Sequence, residues 1–228
     1  MIIQKPKVMV PLNQFNENIL LKLERYARVC YKSENQISSL DNEKFIEKLI
    51  NSGHESVIEH EKITVLFIVD RGISHEIVRH RIASYSQEST RYCNYSKGRF
   101  GAELTFIEPF SLIGTNAYGP WQEACLTSEK CYFDILKLNC SPQEARAVLP
   151  NSLKTEIVVT YNLREWRHFF KLRSSSTAHP QMRQVAIPLL KVFQDYLPII
   201  FNDIKYDINF PFEHFAEVVM TDCVFGEL

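Results

Sequence analysis

The sequence predicts an α+β fold in which helices pack against a β-sheet. Ile63 to Val69 is a run too continuously apolar for a strand with one wet face, so it reads as central and buried. Thr155 to Tyr161 is a second strongly β-branched run, leading directly into a helical pattern. Around these two strands, apolar residues recur at three- and four-residue spacing.

Taken in order, Lys7 to Leu12 is extended, and Asn16 to Cys30 sets Ile19, Leu20, Leu23, Tyr26, Ala27 and Cys30 on one helical face. A second helix has Asp41 as N-cap, an apolar face of Phe45, Ile46, Leu49 and Ile50, and Gly53 as its stop. After the strand Lys62 to Asp70, Arg71-Gly72 marks an end, and Ile73 to His80 reads as a short helix. Glu103 to Ile113 is extended or irregular, and Gly114 to Pro120 is a connection. Trp121, Ala124, Cys125, Ser128, Cys131, Tyr132, Ile135 and Leu138 then follow a long helix, its cysteines read as packing residues. Ser141-Pro142-Gln143-Glu144 has the form of a capping box, opening a short helix that carries Arg146 and closes at Pro150. Leu163, Trp166, Phe169 and Phe170 define a helix from Asn162 to Arg173, and Pro180 starts a last long helix through Leu197, with a kink expected at Pro188. Phe201 to Phe215 is aromatic-rich and suits a subunit contact.

Composition narrows the function. With 228 residues and 45% hydrophobic content, the chain has ample material for a core. A net charge of −1 gives no long-range pull toward nucleic acid or anionic membranes, so any anion site is local. Arg71, Arg79, Arg81, Arg91 and Arg99 supply that local charge. The six cysteines form no C-x-x-C pair and no zinc spacing with the histidines. No signal-peptide apolar region and no run near the ~20 residues of a membrane span is present, so the expectation is a cytoplasmic protein with reduced thiols.

The chemistry concentrates between Arg79 and Tyr95, RHRIASYSQESTRYCNY, where arginines and hydrogen-bonding side chains crowd together with little aliphatic material. The RHR triplet alone fits a solvated helix turn or a salt-bridge cluster as well as an anion site. Its neighbours favour a wall facing phosphate, since a guanidinium fork pairs with phosphate or carboxylate through two hydrogen bonds. A second cluster, Gly53-His54-Glu55-Ser56-Val57-Ile58-Glu59-His60, matches neither the order nor the spacing of an H-E-x-x-H zinc helix. The plainer reading is a polar turn in which His54 and Ser56 bond backbone.

The RHR triplet followed after seven residues by Ser89, with Gln87 two before it and Arg91 two after, resembles the signature of the flavin-dependent thymidylate synthases. The segment Gly53 to His60 is similar to that family's G-H-x-[ST]-x-x-E-H motif. Asn162 to Arg173 with Ala178 to Arg183 resembles its C-terminal motif, so the match runs from Gly53 to Arg183. The resemblance implies a single α+β domain over residues 1–228, with a mixed β-sheet flanked by helices. It implies methylation of dUMP to dTMP, with FAD as cofactor, NADPH as its reductant, methylenetetrahydrofolate as carbon donor, and a homotetramer. By resemblance, the dUMP site falls on Glu76, Arg79, Gln87, Glu88, Ser89, Thr90, Arg91, Arg146 and Arg173. The FAD site falls on Ser56, reaching it from a neighbouring subunit, and on Arg79, His80, Arg81, Gln87, Asn162, Leu163, Arg164 and His168. Arg173 is the expected catalytic residue, a cation at the uracil edge, and no metal is implied. Some members have Gln in place of Glu76 and Asn in place of His168.

A cysteine nucleophile is not expected: no P-C-x-x-H-Q segment occurs, and Cys93, the one thiol near the signature, has no base beside it in sequence. An RNA-binding or nuclease module would use the same arginines, but with a broader basic face and aromatics among the charges. A non-catalytic nucleotide-binding regulator is the other alternative, and the visible spectrum of the purified protein separates it from a flavoenzyme.

Overall fold

The computed structural model describes residues 1–16, 18–30, 32–36, 42–97 and 101–222. Asp41, expected as a helix cap, Arg99 of the basic cluster and Cys223 lie outside the described residues. The strands are β1 (Ile2–Gln4), β2 (Lys7–Pro11), β3 (Lys62–Asp70), β4 (Ala83–Gln87), β5 (Thr105–Ile107), β6 (Lys154–Asn162) and β7 (Glu217–Thr221). The helices are α1 (Ile19–Val29), α2 (Asn42–Asn51), α3 (Arg71–Ile77), α4 (Tyr118–Lys137), α5 (Pro142–Ala145), α6 (Leu163–Arg173), α7 (Pro180–Tyr196) and α8 (Pro198–Phe201). A mixed five-stranded sheet has the order β4-β6-β3-β2-β7, and β1 pairs in parallel with β5 in a second, two-stranded sheet. The continuously apolar β3 is the central strand, as its burial demands.

By packing, the chain groups into two units, the first made of Met1–Lys7, Phe67–Arg79 and Tyr85–Val158 and the second of Val8–Leu66, His80–Ser84 and Val159–Leu228. In the first, Tyr95, Leu104, Phe106, Cys125, Tyr132, Ala145 and Leu153 form the core, with Trp121 packed against it. The amide of Leu104 donates to Glu129 of α4 at 2.9 Å, and the Trp121 indole N–H donates to Ser152 Oγ at 3.0 Å. Asp70 caps α3, its side chain accepting the Ile73 amide at 2.8 Å. The capping box holds: the Glu144 carboxylate accepts from the Ser141 amide at 2.8 Å and from its hydroxyl at 2.6 Å.

The second unit is built on aromatics. Tyr161, Trp166, Phe169, Phe170, Phe193 and Phe201 are all fully buried, and consecutive rings meet mostly edge to face at 4.6–5.9 Å. Burial of each such ring contributes roughly 1.5–3 kcal/mol. Gln14 ties the start of the chain to β3 by pairing both its amide groups with the Thr64 backbone, at 2.8 and 2.7 Å.

Several expectations are corrected. β4 lies inside the signature stretch, where Ala83, Tyr85 and Gln87 are half-buried and Ser84 and Ser86 exposed. Its period of two is present, but too few of its residues are apolar for that period to register. The helix expected from Trp121 already begins at Tyr118 with Pro120 in its first turn, where the missing N–H costs no hydrogen bond. On α1, Tyr26 and Cys30 are exposed while Glu24 and Arg28 are buried, because those two form an ion pair at 2.6 Å one turn apart. On α4, Ala124, Cys131 and Leu138 are exposed, so the buried stripe narrows to Cys125, Ser128 and Tyr132. The stretch Phe201 to Phe215 is divided, with Phe201 and Phe210 buried and Phe212 exposed. The other described cysteines, Cys30, Cys93, Cys125 and Cys140, are unbonded like Cys131, and no helix among the described residues is long and apolar enough to cross a membrane.

Candidate functional site

The first unit carries Glu76, Arg79 and the run Gln87 to Arg91. Arg79, just past the end of α3, is exposed, and Glu76 on α3 is half-buried. Gln87, at the end of β4, donates to Ser74 Oγ at 2.9 Å and Thr155 Oγ1 at 3.2 Å, which fixes its side chain between α3 and β6. Glu88 accepts the Tyr95 hydroxyl at 2.8 Å and pairs with Lys154 at 3.2 Å, while its carbonyl accepts from Arg71 at 3.4 Å. Burial, first, and the Glu88 charge push the Tyr95 hydroxyl far above the usual tyrosine range, so it stays a donor. Thr90 is buried, and Arg146 reaches its hydroxyl at 3.5 Å. Arg91 lies over the Tyr92 ring at 5.1 Å and donates from Nε to Gln143 at 3.2 Å. Ser89 Oγ accepts the Arg91 amide at 3.3 Å. Arg79, Arg91 and Arg146 form no ion pair among the described residues, so the unit presents uncompensated guanidinium charge.

The second unit carries Ser56, His80, Arg81, Asn162, Leu163, Arg164, His168 and Arg173. Asn162 caps α6, its side chain accepting the Glu165 amide at 2.8 Å, and Leu163 is fully buried with its amide donating to the Glu61 carbonyl at 2.9 Å. Ser56 and Arg81 are exposed. Ser56 sits on the 3-10 turn Glu55–His60, held to α6 through Glu55, which accepts from Arg167 Nε at 3.1 Å with Lys171 at 3.7 Å and Arg164 at 3.8 Å. Arg164 also pairs with Glu59 at 2.5 Å. Arg167 is buried and bidentate on Asp203 at 2.6 Å, and donates to the Ile200 carbonyl.

His80 is buried in this unit. Its Nδ1 lies 2.7 Å from Glu165 Oε1, and its Nε2 accepts from Arg173 Nε at 3.2 Å. A guanidinium only donates, so the proton must sit on Nδ1 and the Glu165 carboxylate must accept it. Burial is the main cause lowering the His80 pKa, with Arg173 and His168 adding to it against the pull of Glu165, so the ring is neutral at neutral pH. His168, on the exposed side of α6, places its ring 5.3 Å from that of His80. A cavity of about 430 Å³ is lined by Glu55, Glu59, Ile82, Asn162, Arg164, Glu165, His168 and Lys171.

His80, Glu165 and His168 also offer ligand atoms within 4.8 Å of one another, as a metal site would. Both nitrogens of His80 are already engaged, one of them by a cationic guanidinium, and that arrangement is hostile to a metal ion. Sequence reasoning missed Glu165, Glu55, Glu59, Lys171 and Ile82 of this cavity and its surroundings, as well as Tyr95 and Lys154 of the first unit. Glu165 lies within the quoted C-terminal motif, but its contact is 85 residues away in the chain, and no local pattern encodes that.

The family description "thymidylate synthase complementing protein" matches residues 13–199. A flavin-dependent thymidylate synthase of Geobacter sulfurreducens is 35% identical over 188 residues, covering 78% of each chain. One of Pyrococcus furiosus is 36% identical over 176 residues, 74% of this chain and 70% of its own. The fold is shared with the UMP/dUMP methylase PolB of Streptomyces cacaoi bound with 5-Br dUMP, at a TM-score of 0.70 and 22% identity, over 89% of this chain and 96% of that one. With the family match spanning most of the chain and relatives above 30% identity over more than two thirds of it, the chain belongs to the flavin-dependent thymidylate synthases.

Proposed function

We propose that this chain catalyses the reductive methylation of dUMP to dTMP, using FAD reduced by NADPH and methylenetetrahydrofolate as carbon donor. The observation that carries the reading is the set of exposed first-unit arginines, Arg79, Arg91 and Arg146, which no carboxylate neutralises among the described residues, with Arg146 at the hydroxyl of Thr90. A phosphate dianion is the natural partner of such a set. Gln87, Glu88 and Ser89 supply further hydrogen-bonding groups for sugar and base, and the Glu76 carbonyl, three residues earlier, accepts the Arg79 amide at 3.2 Å.

FAD fits the second unit. A cavity of about 430 Å³ lies in the range of ligand sites, and its imidazole and amide groups suit a ring with carbonyl acceptors, while its cations Arg164 and Lys171 are matched by Glu55 and Glu59. Of the residues proposed to hold the cofactor, Ser56, His80, Arg81, Asn162, Leu163, Arg164 and His168 belong to this unit, and Arg79 and Gln87 to the first. When bound, it supplies hydride equivalents. Arg173 stabilises negative charge as it develops on the pyrimidine, which raises electron density at the carbon to be methylated. No thiol takes part, since Cys93 has only its place near the signature to recommend it. The reading extends to one domain over residues 1–228, a cytoplasmic location, and a homotetramer for which the exposed Ile208 and Phe212 offer apolar surface.

The test is direct. Purified protein should be yellow, and with dUMP, methylenetetrahydrofolate and NADPH it should form dTMP, read by mass spectrometry; sedimentation should give four chains. A colourless protein that gains no FAD on reconstitution and makes no dTMP would refute the reading.

A further inference from the structure

We infer that Glu165 is a positioning residue for turnover, acting on Arg173 through His80 as a carboxylate–imidazole–guanidinium relay. The inference rests on the function proposed above, in which Arg173 meets the substrate.

The geometry is one-directional. Arg173 Nε–H can only donate, so the 3.2 Å contact requires a lone pair on His80 Nε2. A neutral imidazole with its lone pair there carries its proton on Nδ1, and Glu165 Oε1 stands 2.7 Å from that proton's nitrogen. The carboxylate therefore selects the one tautomer that receives Arg173. In the other tautomer two N–H groups would face each other and the guanidinium would lose its contact with Nε2. The relay is also rigid. His80 and Glu165 are buried, the His80 ring meets Phe169 and Tyr161 at 5.1 and 5.9 Å, and the Glu165 amide is itself fixed by the Asn162 cap. Glu165 and Arg173 sit on one helix with His80 held against both, so the relay sets where the guanidinium fork points relative to α6.

The charged and titratable groups facing His80 include Glu165, His168 and Arg173 of α6 and Tyr161 of β6. Protonating His80 puts a hydrogen on Nε2 and ends its acceptance from Arg173, so kcat should fall on the acid side. Glu165 raises the His80 pKa against the dominant lowering by burial. Removing its charge therefore moves that acid limb to lower pH even as it lowers the plateau.

The experiment compares wild type, Glu165→Gln and Glu165→Asp as FAD-loaded protein, measuring kcat across pH and the dUMP dissociation constant. Glu165→Gln should lose about ten- to a hundredfold in kcat, the usual cost of losing a group that orients a histidine, with dUMP binding within about twofold. Its acid limb should move to lower pH. Glu165→Asp keeps the charge at a longer reach and should fall between, and it carries the test alone if Glu165→Gln does not fold. An unchanged kcat, a profile lowered uniformly without moving, or a loss confined to dUMP binding overturns the relay. Wild-type protein that makes no dTMP refutes the proposed function instead. The relay is then judged by nitrogen-15 histidine spectra assigned with His80→Gln: a His80 proton on Nδ1 supports it, and one on Nε2 overturns it.

Discussion

The arginines of the two units are treated in opposite ways. In the first unit Arg79, Arg91 and Arg146 are exposed, Arg91 and Arg146 donate to neutral oxygens at 3.2 and 3.5 Å, and none of the three makes an ion pair among the described residues. On α6 of the second unit, Arg167 is bidentate on Asp203, Arg164 lies 2.5 Å from Glu59, and Arg173 rests on a histidine that a carboxylate holds. Charge already matched inside the protein adds rigidity and gives little to a ligand. Charge left unmatched is available to an incoming anion, at the expense of a segment that repels itself until the anion arrives. Arg173 differs from both in resting on an imidazole, whose Nε2 accepts from it at 3.2 Å.

Arg173→Ala carries the largest expected effect. If its charge acts on the transition state, its loss should reduce kcat about a hundred- to a thousandfold, roughly 2.7–4 kcal/mol, while the dUMP dissociation constant changes far less. Arg173→Lys keeps the charge but not the planar fork and should remain impaired. Weakened dUMP binding with normal turnover at saturation would make Arg173 an anchor like those of the first unit.

Arg167→Ala tests the matched class. It leaves Asp203 and Glu55 without their buried partner, and such truncations cost about 3–5 kcal/mol. Asp203 is 49% exposed at its side chain, so the lower end applies, a melting temperature lower by roughly 6–12 °C for a chain of this size. Differential scanning calorimetry of the FAD-loaded protein reads it. Full thermal stability would mean that this ion-pair group is not what secures α6 to the turn bearing Ser56.

The unmatched class is tested by Arg91→Ala. Losing one charge-assisted contact to a phosphate should weaken dUMP binding about tenfold, roughly 1.4 kcal/mol, with kcat at saturation nearly kept. The mutant's affinity should also depend less on salt than that of wild type, because one screened charge is gone. Isothermal titration at two ionic strengths decides it, and equal salt dependence would remove Arg91 from the phosphate site.

What the sequence made legible follows from how each feature is encoded. β3 is found at both its ends because a continuous apolar run bounded by Lys62 and Asp70 is a local signal. The cap of α6 by Asn162 and the capping box at Ser141 are likewise local. β4 is missed because only Ala83 and Tyr85 of its half-buried positions are apolar, and the Glu24–Arg28 pair is missed because a buried charge looks like a solvated one until its partner is known. Of the candidate site, the signature residues stand out by pattern. The carboxylates that hold the second unit's cations do not, since Glu55 reaches Arg167 across 112 residues and Glu165 reaches His80 across 85.

Glu88 qualifies the contrast, since within the first unit it is a matched charge. It accepts the Tyr95 hydroxyl at 2.8 Å and pairs with Lys154 at 3.2 Å, so a carboxylate that stands among the substrate candidates is already held. Tyr95→Phe removes the hydrogen bond and keeps the ring in the core, and a bond to a charged acceptor is worth about 1.5 kcal/mol or somewhat more. The melting temperature at neutral pH should fall by roughly 3–6 °C. The pH dependence identifies the cause. The Tyr95 pKa is raised in the folded protein above its ordinary value of 10.0, so its contribution is complete below that pH and is lost as pH rises through the higher folded value. The gap between wild type and Tyr95→Phe should therefore be widest at neutral pH and narrow steadily above pH 10.0, while Tyr118 and Tyr132, also raised, titrate alike in both proteins. A gap that stays constant with pH would mean that the substitution acts through packing of the Tyr95 and Tyr132 rings, 5.8 Å apart, and that Glu88 is held by Lys154 alone.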